Sequence, residues 1–273
     1  MTKIRVALSS PIDDNLYSVL LAHECLKHEE IELVGVITLK VFSYKRFKSE
    51  FNRLRSLLFL KIFNKIFNRE TSTSSFHEIL KKNLFHERKI SKLSLRSLCK
   101  SNEVSFRKII NPNSQESIDF LRLSQPDLIL SVGSIILREE IIDLPNKGLL
   151  NVHLGILPKY RGMGVTEWPV IESTSFQSIN TGITLHFIHK GVDTGPIISR
   201  KFIPFRKGDT FDTLEERYLP EMVKLMIEGV IIVKNGELNY ETQESHQGKQ
   251  YFALHPRMRK FAEKKLMELM RND

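Results

Sequence analysis

The 273-residue sequence predicts an α/β fold in which an open, mostly parallel sheet is flanked by helices. Short apolar runs alternate with amphipathic stretches along most of the chain. Such runs are typical of strands buried on both faces, and helical connections between them favour parallel pairing through right-handed crossovers. The length is sufficient for one α/β domain with additions.

The elements follow one another as such a sheet requires. Apolar runs at residues 3–9 and 31–38 are separated by a helical pattern at 16–27. Asp209 is a candidate N-cap for a later long helix, and Gly229 lies near its expected end. The later predicted elements are a strand at 106–110, a helix at 115–124, strands at 127–132, 148–153, 182–188 and 196–202, a helix from 210 to about 228, a strand at 238–242 and a charged helix after Pro256. This order is typical of a Rossmann-like sheet.

Residues 41–100 interrupt the alternation, and we interpret them as a basic helical insertion between the second and third strands. They contain nine Lys and six Arg against four Glu, a net charge of +11, whereas the whole chain carries +9. A packed hairpin with a solvated face, a helix on an anionic membrane surface and a docking face for a protein partner all fit this composition. Nucleic acid fits less well, because large apolar residues separate the charges. We therefore predict a catalytic domain at 1–235, with the insertion inside it, and a C-terminal extension at 236–273.

Composition and cysteine usage exclude several classes of protein. The two cysteines, Cys25 and Cys99, are far apart and form no CxxC pair, which disfavours a disulfide framework or a zinc cluster. The first residues lack the pattern of a signal peptide, and no apolar stretch reaches the length of about 18 residues that a membrane span needs. We expect a cytoplasmic protein with free thiols and no metal, and the sequence is compatible with an oligomer.

The segment NVHLGILPKYRG, which begins at Asn151, carries the first candidate site residues. Side chains two residues apart on a strand point to the same face, so Asn151 and His153 are expected to lie side by side. The end of the strand is where ligands bind in open parallel sheets. An amide and an imidazole placed there can donate hydrogen bonds to an oxygen that becomes negative during acyl transfer. An N-x-H pair alone has little specificity.

A second segment, TGITLHFIHKGVDTGPI, supplies the context, because it leads from an apolar strand into a glycine-flanked loop that contains Asp193. If the two strands are neighbours, the carboxylate faces the Asn–His pair, where it can orient the imidazole and accept a proton. The alternative is a tight turn in which Asp193 bonds to its own backbone. His186 is expected to be an ordinary residue of this strand.

These two segments resemble the signature of the formyltransferases that use 10-formyltetrahydrofolate. The resemblance covers about residues 127–229 and includes the string DLILSVGSIIL. It implies direct formyl transfer to an amine, with Asn151 and His153 stabilising the oxyanion and Asp193 moving a proton. It further implies that the folate lies near five residues: Ile135, Ile136, Leu137, His189 and Val192.

Within this family, the sequence most resembles the sugar-nucleotide N-formyltransferases, which implies a small acceptor such as a nucleotide-linked amino sugar. The first turn, SSPIDDN, has no glycine and is a poor phosphate cradle, unlike that of glycinamide ribonucleotide transformylases. The eighty residues after Asp193 leave no room for the C-terminal barrel of the tRNA enzymes, so we expect no tRNA acceptor.

Three residues are candidates for acceptor binding. Lys159 and Arg161 are expected to contact a diphosphate, unless they form a solvated loop, and Tyr251 to stack on a base or sugar, unless it packs against a helix. Two other classes stay open: a hydrolase that passes the formyl group to water, and a folate-binding protein without turnover. Transfer to another amine, such as an aminoacyl or glycinamide group, is the remaining alternative.

Overall fold

The computed structural model describes residues 2–40, 94–133 and 136–273. Their main sheet has seven strands in the order β3-β2-β1-β4-β5-β7-β8. The first five strands of this order are parallel, and β7 and β8 are antiparallel to their neighbours. The strands are β1 (Ile4–Ser10), β2 (Ile31–Leu39), β3 (Ser105–Ile109), β4 (Leu128–Ser131), β5 (Leu149–His153), β7 (Gly182–Phe187) and β8 (Ile197–Phe202). The predicted open, mostly parallel sheet is therefore confirmed.

A second sheet and the helices complete the described part of the chain. Strands β6 (Tyr160–Gly162) and β9 (Lys249–Tyr251) form a separate parallel pair. The helices are α1 (Leu16–Lys27), α2 (Leu95–Ser101), α3 (Gln115–Ser124), α4 (Glu139–Ile142), α5 (Glu167–Glu172), α6 (Phe211–Asn235) and α7 (Pro256–Arg271), with a 3-10 turn at Ser245–Gln247. None of the helices described is long and apolar enough to cross a membrane.

The sheet separates two apolar clusters, one on each face, and the candidate site residues of β5 lie on the face of the smaller cluster. Leu150 and Val152 of β5 lie in the larger cluster, together with residues of α1 and α6. Leu149 lies in the smaller cluster with Phe120 and Leu121 of α3. Because side chains alternate along a strand, Leu149, Asn151 and His153 share the face of the smaller cluster.

The long helix α6 differs from its prediction at both ends. Its N-cap is Thr210 rather than Asp209, and it continues through Gly229 to a left-handed cap at Gly236. Gly229 allows close packing instead of ending the helix: a Cβ there would lie 2.4 Å from Leu185 Cδ2 of β7. A glycine inside a helix was thus mistaken for a cap because its packing role is a tertiary property.

The C-terminal part contains a second correction. The strand predicted at 238–242 is wrong, because only an isolated bridge between Glu241 and Ile197 forms there. The strand that does form is β9, which pairs with β6. The charged helix after Pro256 is confirmed as α7, which packs against α5. The domain boundary at 235 stays a prediction.

Most of the predicted insertion, residues 41–93, lies outside the described residues. Its last part is helix α2, capped by the Ser94 side chain. Cys25 and Cys99 are buried free thiols, and burial raises the pKa of each to about 12. Thiols with so high a pKa are unreactive at neutral pH.

Candidate active site

Asn151 and His153 lie at the carboxyl end of β5. The register places Asn151 between Ser131 of β4 and His186 of β7, in one polar row across the sheet. Asn151 is partly exposed, whereas His153 is only 6% exposed. The pair therefore lies side by side at the sheet edge where ligands bind in open parallel sheets, as the sequence predicts.

A backbone carbonyl fixes the His153 ring. Its Nε2 lies 2.8 Å from Tyr160 O. A carbonyl oxygen only accepts hydrogen bonds, so Nε2 carries a proton and any second proton lies on Nδ1. Gly155 makes this contact feasible, since a Cβ there would lie 2.9 Å from His153 Nε2 and 3.0 Å from Tyr160 O.

Asp193 faces both the β5 pair and the second sheet. Its Oδ2 accepts the backbone N–H of Gly162 at 2.8 Å and lies 3.4 Å from His153 Nδ1. Its Oδ1 lies 3.7 Å from His186 Nε2. Asp193 adopts a positive φ of 52°, which Asp tolerates better than most residues. The carboxylate thus bonds across the fold rather than within its own turn, and the three predicted residues come together; their catalytic roles stay a prediction.

His186 belongs to the same group of side chains, although the sequence indicated only a strand residue. It is 1% exposed, and its Nε2 lies 3.2 Å from Asn151 Nδ2. Burial lowers the pKa of His186, and the neighbouring His153 lowers it further. A buried neutral imidazole therefore lies directly beside the amide of Asn151.

Gln243 and Arg161 hold the turn that carries Asp193, and sequence reasoning missed this role. Gln243 Nε2 donates to the carbonyls of Asp193 at 3.0 Å and of Gly195 at 2.6 Å. Arg161 donates through Nε and Nη2 to Gln243 Oε1 and is only 5% exposed. The solvated-loop alternative for Arg161 is therefore wrong. No sequence pattern marks Gln243, which lies in a polar, non-periodic segment.

The residues expected near the folate belong to two segments of the chain, one that follows β4 and one that follows β7. Leu137 of the first segment and Ile188 of the second pack against the smaller apolar cluster, and Lys190 pairs with Glu139 of α4 at 2.8 Å between the two segments. The five expected residues are distributed as follows: Ile136 is 79% exposed, Leu137 and Val192 are half-buried, His189 is exposed, and Ile135 lies outside the described residues.

Backbone groups near this region are partly engaged. Asn113 Nδ2 donates to Ile136 O at 2.9 Å, and Asn113 Oδ1 accepts from Arg138 N at 2.7 Å. The carbonyl of Ile136 is thus already an acceptor within the protein. The Ser131 hydroxyl is buried and has no hydrogen-bond partner among the described residues.

The predicted acceptor residues lie on the other side of Asp193. Tyr251 packs between Trp168 and Tyr160, with ring centroids 5.1 Å and 5.5 Å away. Its hydroxyl donates to Glu172 Oε1 at 2.6 Å, so the packing interpretation describes this ring. Lys159 is exposed, with Nζ 5.1 Å from the centroid of the Tyr160 ring.

Two other kinds of site were considered in the described part of the chain: a metal site and a second concavity. Within residues 2–40, 94–133 and 136–273, no group of three or more His, Cys, Asp or Glu could hold a metal ion. A concavity of about 560 Å³ opens at the opposite, amino edge of the sheet, where Arg122, Glu140 and Asp143 contribute to its lining. It contains none of the predicted site residues.

Comparison with known proteins identifies the family. The profile of the formyl transferase family, described as "Formyl transferase", matches residues 82–230, which is more than half of the chain. The chain therefore belongs to the formyl transferase family.

Two curated relatives show how far the sequence similarity extends. The methionyl-tRNA formyltransferase of Thermotoga maritima is 32% identical over 159 residues, which are 58% of this chain and 49% of that protein. The methionyl-tRNA formyltransferase of Agathobacter rectalis is 33% identical over 132 residues, which are 48% of this chain and 41% of that protein. The matched region thus spans half or less of the length of these relatives.

Solved structures show the same fold at low sequence identity. Glycinamide ribonucleotide transformylase 1 from Symbiobacterium toebii has a TM-score of 0.57 at 18% identity, covering 89% of this chain and 95% of that one. An N-formyltransferase from Helicobacter canadensis, solved with folinic acid and dTDP-3-aminofucose, has a TM-score of 0.54 at 19% identity, covering 92% of this chain and 71% of that one. These likenesses support the fold alone.

Proposed function

We propose that this chain is an enzyme that transfers a formyl group from a 10-formyltetrahydrofolate donor to the amine of a small acceptor. One observation carries the proposal: Asn151, His153 and Asp193 converge at the carboxyl edge of the sheet, with Asp193 Oδ2 3.4 Å from His153 Nδ1. An amide donor, an imidazole and a carboxylate within reach of one another are what acyl transfer to an amine requires.

Each residue has a role that its contacts allow. One N–H of the Asn151 amide is directed at His186, so the second N–H is free to donate to the formyl oxygen as it gains charge. Because His153 Nε2 bonds to Tyr160 O, protons pass between substrate and protein at His153 Nδ1 and Asp193. The amine nitrogen forms a bond to the formyl carbon, and its proton passes to the Asp193 carboxylate. As the bond between that carbon and the donor nitrogen breaks, Asp193 returns the proton to the departing nitrogen. His153 lies against Asp193 and stabilises its ionised form before and after these transfers.

The donor site is assigned to the region between the loops that contain Leu137 and Ile188. The bound donor supplies the formyl group. Leu137 and Ile188 provide apolar walls, and the Ser131 hydroxyl, which has no partner among the described residues, lies in the same polar row as Asn151. These features fit a flat heteroaromatic ring whose edges carry donors and acceptors.

The acceptor we propose is a nucleotide-linked amino sugar. Gly162 links the Asp193 carboxylate to β9, and the residues that follow on each strand, Met163 and Phe252, are 47% and 70% exposed. Exposed apolar side chains beside a catalytic carboxylate suit a base or sugar ring. Lys159 is an exposed cation next to this small sheet, which suits a diphosphate. We therefore transfer the stacking role from Tyr251 to Phe252.

A second acceptor, methionyl-tRNA, is favoured by the names of the relatives that are 32–33% identical to this chain. The matched segments cover 48–58% of this chain, and the family match at residues 82–230 includes the candidate catalytic residues. Similarity over this part alone concerns the formyl-transfer site that all acceptors share, so only a direct assay separates the two.

The experiment is turnover of 10-formyltetrahydrofolate, followed by absorbance, with one acceptor at a time. The acceptors are nucleotide-linked amino sugars, methionyl-tRNA, glycinamide ribonucleotide and water alone. We expect turnover that requires an amino sugar, and a rise in the KM for that sugar in Phe252→Ala with little change in kcat. The matched control is Phe202→Ala, a 59% exposed residue on β8.

The other outcomes are equally specific. Turnover with water alone assigns the hydrolase, and turnover only with methionyl-tRNA assigns the second acceptor. Folate binding without turnover on any acceptor would favour a binding protein. Neither binding nor turnover would sink the proposal.

A further inference from the structure

The His186 ring connects a backbone carbonyl to the side chain of Asn151. His186 lies opposite Asn151 in the antiparallel pair of β5 and β7. Its Nδ1 is 2.8 Å from Phe187 O, and its Nε2 is 3.2 Å from Asn151 Nδ2. At 1% exposure the ring has no alternative contact with bulk water.

The two contacts define the protonation of the ring. Phe187 O can only accept, so His186 Nδ1 carries a proton. An amide nitrogen can only donate, so Nε2 has a lone pair that accepts from Asn151 Nδ2. With the Asn151 nitrogen in this position, the ring is a neutral, Nδ1-protonated imidazole. Burial, which lowers the pKa of His186, independently favours the neutral form.

The ring also determines which way the Asn151 amide points. An asparagine side chain can rotate by half a turn and exchange its oxygen and nitrogen, and only its partners decide between the two positions. A neutral His186 holds the nitrogen of Asn151 toward β7, which leaves the second N–H as a donor in the site. A protonated His186 would present an N–H to this amide and favour the reversed position, with the oxygen in place of the donor.

The charged groups that face His186 are those of the site itself. Asp193 Oδ1 is 3.7 Å from its Nε2, and the His153 ring lies edge-on with its centroid 6.3 Å away. Asp193 favours a charged His186 and His153 opposes it, while burial opposes it most. Burial and the neighbouring His153 outweigh Asp193, so the His186 ring stays neutral.

We propose that His186 is a positioning residue that, as a neutral Nδ1-protonated imidazole, holds the Asn151 amide with an N–H toward the formyl oxygen. This inference rests on the proposed formyl transfer, but the ring's protonation can be measured without turnover. His186 makes no contact with substrate in this scheme and acts through Asn151 alone.

A double-mutant cycle tests this dependence. His186→Leu removes the acceptor, and we expect kcat to fall about tenfold with the donor KM little changed, as for one hydrogen bond. His186→Gln can place an oxygen where Nε2 lies, so most of kcat should return. In an Asn151→Ala background, His186→Leu should have no further effect on kcat. An equal loss in both backgrounds would overturn the proposal.

Two further measurements keep the result interpretable. Thermal unfolding of each variant separates a folding defect from a loss of kcat. In the wild-type protein, ¹⁵N NMR of labelled histidines should show Nδ1 protonated in His186 and Nε2 protonated in His153. The opposite tautomer at His186 contradicts the inference even if the enzyme is active, whereas absent turnover with the expected tautomer contradicts only the proposed function.

Discussion

The carboxyl ends of β1 and β5 lie at the same edge of one sheet, but the polar side chains at the two ends have different partners. After β1, Ser10 Oγ donates to Ile12 O, Asp13 accepts from Arg96 N at 2.9 Å, and Asn15 caps α1. After β5, Asn151 keeps one N–H without a partner among the described residues. Polar groups that already bond to helix ends and turns have few donors or acceptors left for a ligand. The end of β1, although two acids follow it, is therefore a weaker candidate for the active site than the end of β5.

The largest effect is expected at Asp193, because its carboxylate both accepts the Gly162 N–H and faces His153. Asp193→Asn removes the charge beside His153, and kcat should fall roughly 10²–10⁴-fold, the range for lost general acid–base catalysis. Asn tolerates the positive φ of this position, so the fold should survive. Single-turnover assays measure the loss. The matched control is Asp143→Asn at the amino edge of the sheet, and an equal loss there would contradict a local cause.

Asn151→Ala removes the proposed oxyanion donor, and we expect the strand to stay intact. We expect kcat to fall roughly 10²–10³-fold, the range for loss of one such donor. Steady-state kinetics with a saturating acceptor measures it. The control for strand packing is Thr38→Ala in β2, which removes a buried hydroxyl that has no partner among the described residues. Equal, small effects of both changes would mean that Asn151 is structural.

Arg161 and Lys159 are both predicted from the sequence to contact a diphosphate, but Arg161 is buried and Lys159 is exposed. Arg161→Met leaves Gln243 and a backbone carbonyl unsatisfied, so the free energy of unfolding should fall by about 1–3 kcal/mol with the acceptor KM unchanged. Lys159→Met should raise the acceptor KM without changing stability. Urea unfolding and kinetics on both variants check this contrast, and the reverse pattern would assign the diphosphate to Arg161.

The buried His186 makes the β5 end sensitive to pH. Its pKa is lowered in the folded state, so the unfolded chain takes up a proton first as the pH falls below about 6.5. The free energy of unfolding should therefore decrease below that pH, by at most about 1.4 kcal/mol per pH unit, and level off below the folded pKa. Urea unfolding from pH 8 to pH 4.5 measures the slope. His186→Gln should flatten it, and the exposed His246→Gln should not.

Much of this geometry was predictable where it depends on local pattern. The alternation of strands and helices predicted a mostly parallel sheet, and the two-residue spacing of Asn151 and His153 predicted that both lie on one face. Asp193 could be predicted to face them only from its resemblance to a family motif, because 40 residues of chain separate it from His153. The resemblance identified the candidate site residues but did not predict their hydrogen bonds.

What the sequence missed depends on packing between distant segments. Gln243 reaches the turn at Asp193 across 50 residues, and no periodicity marks it. Gly229 was mistaken for a helix end because its closeness to Leu185 exists only once α6 lies on the sheet. His186 was predicted as a strand residue, which is correct, but its role requires knowing which nitrogen meets Asn151.

The smallest effect is expected at Asp13, which follows β1, and it directly tests the contrast between the ends of β1 and β5. Asp13 pairs with Lys108 at 2.8 Å and accepts the N–H of Arg96 at the start of α2. Asp13→Ala should lower the free energy of unfolding by about 1 kcal/mol, the sum of a weak surface pair and a lost cap, with kcat unchanged. The exposed Asp14→Ala is the matched control, and urea unfolding with kinetics measures both. A large loss of kcat in Asp13→Ala alone would mean that the β1 end takes part in the site, and the contrast between the two strand ends would fail.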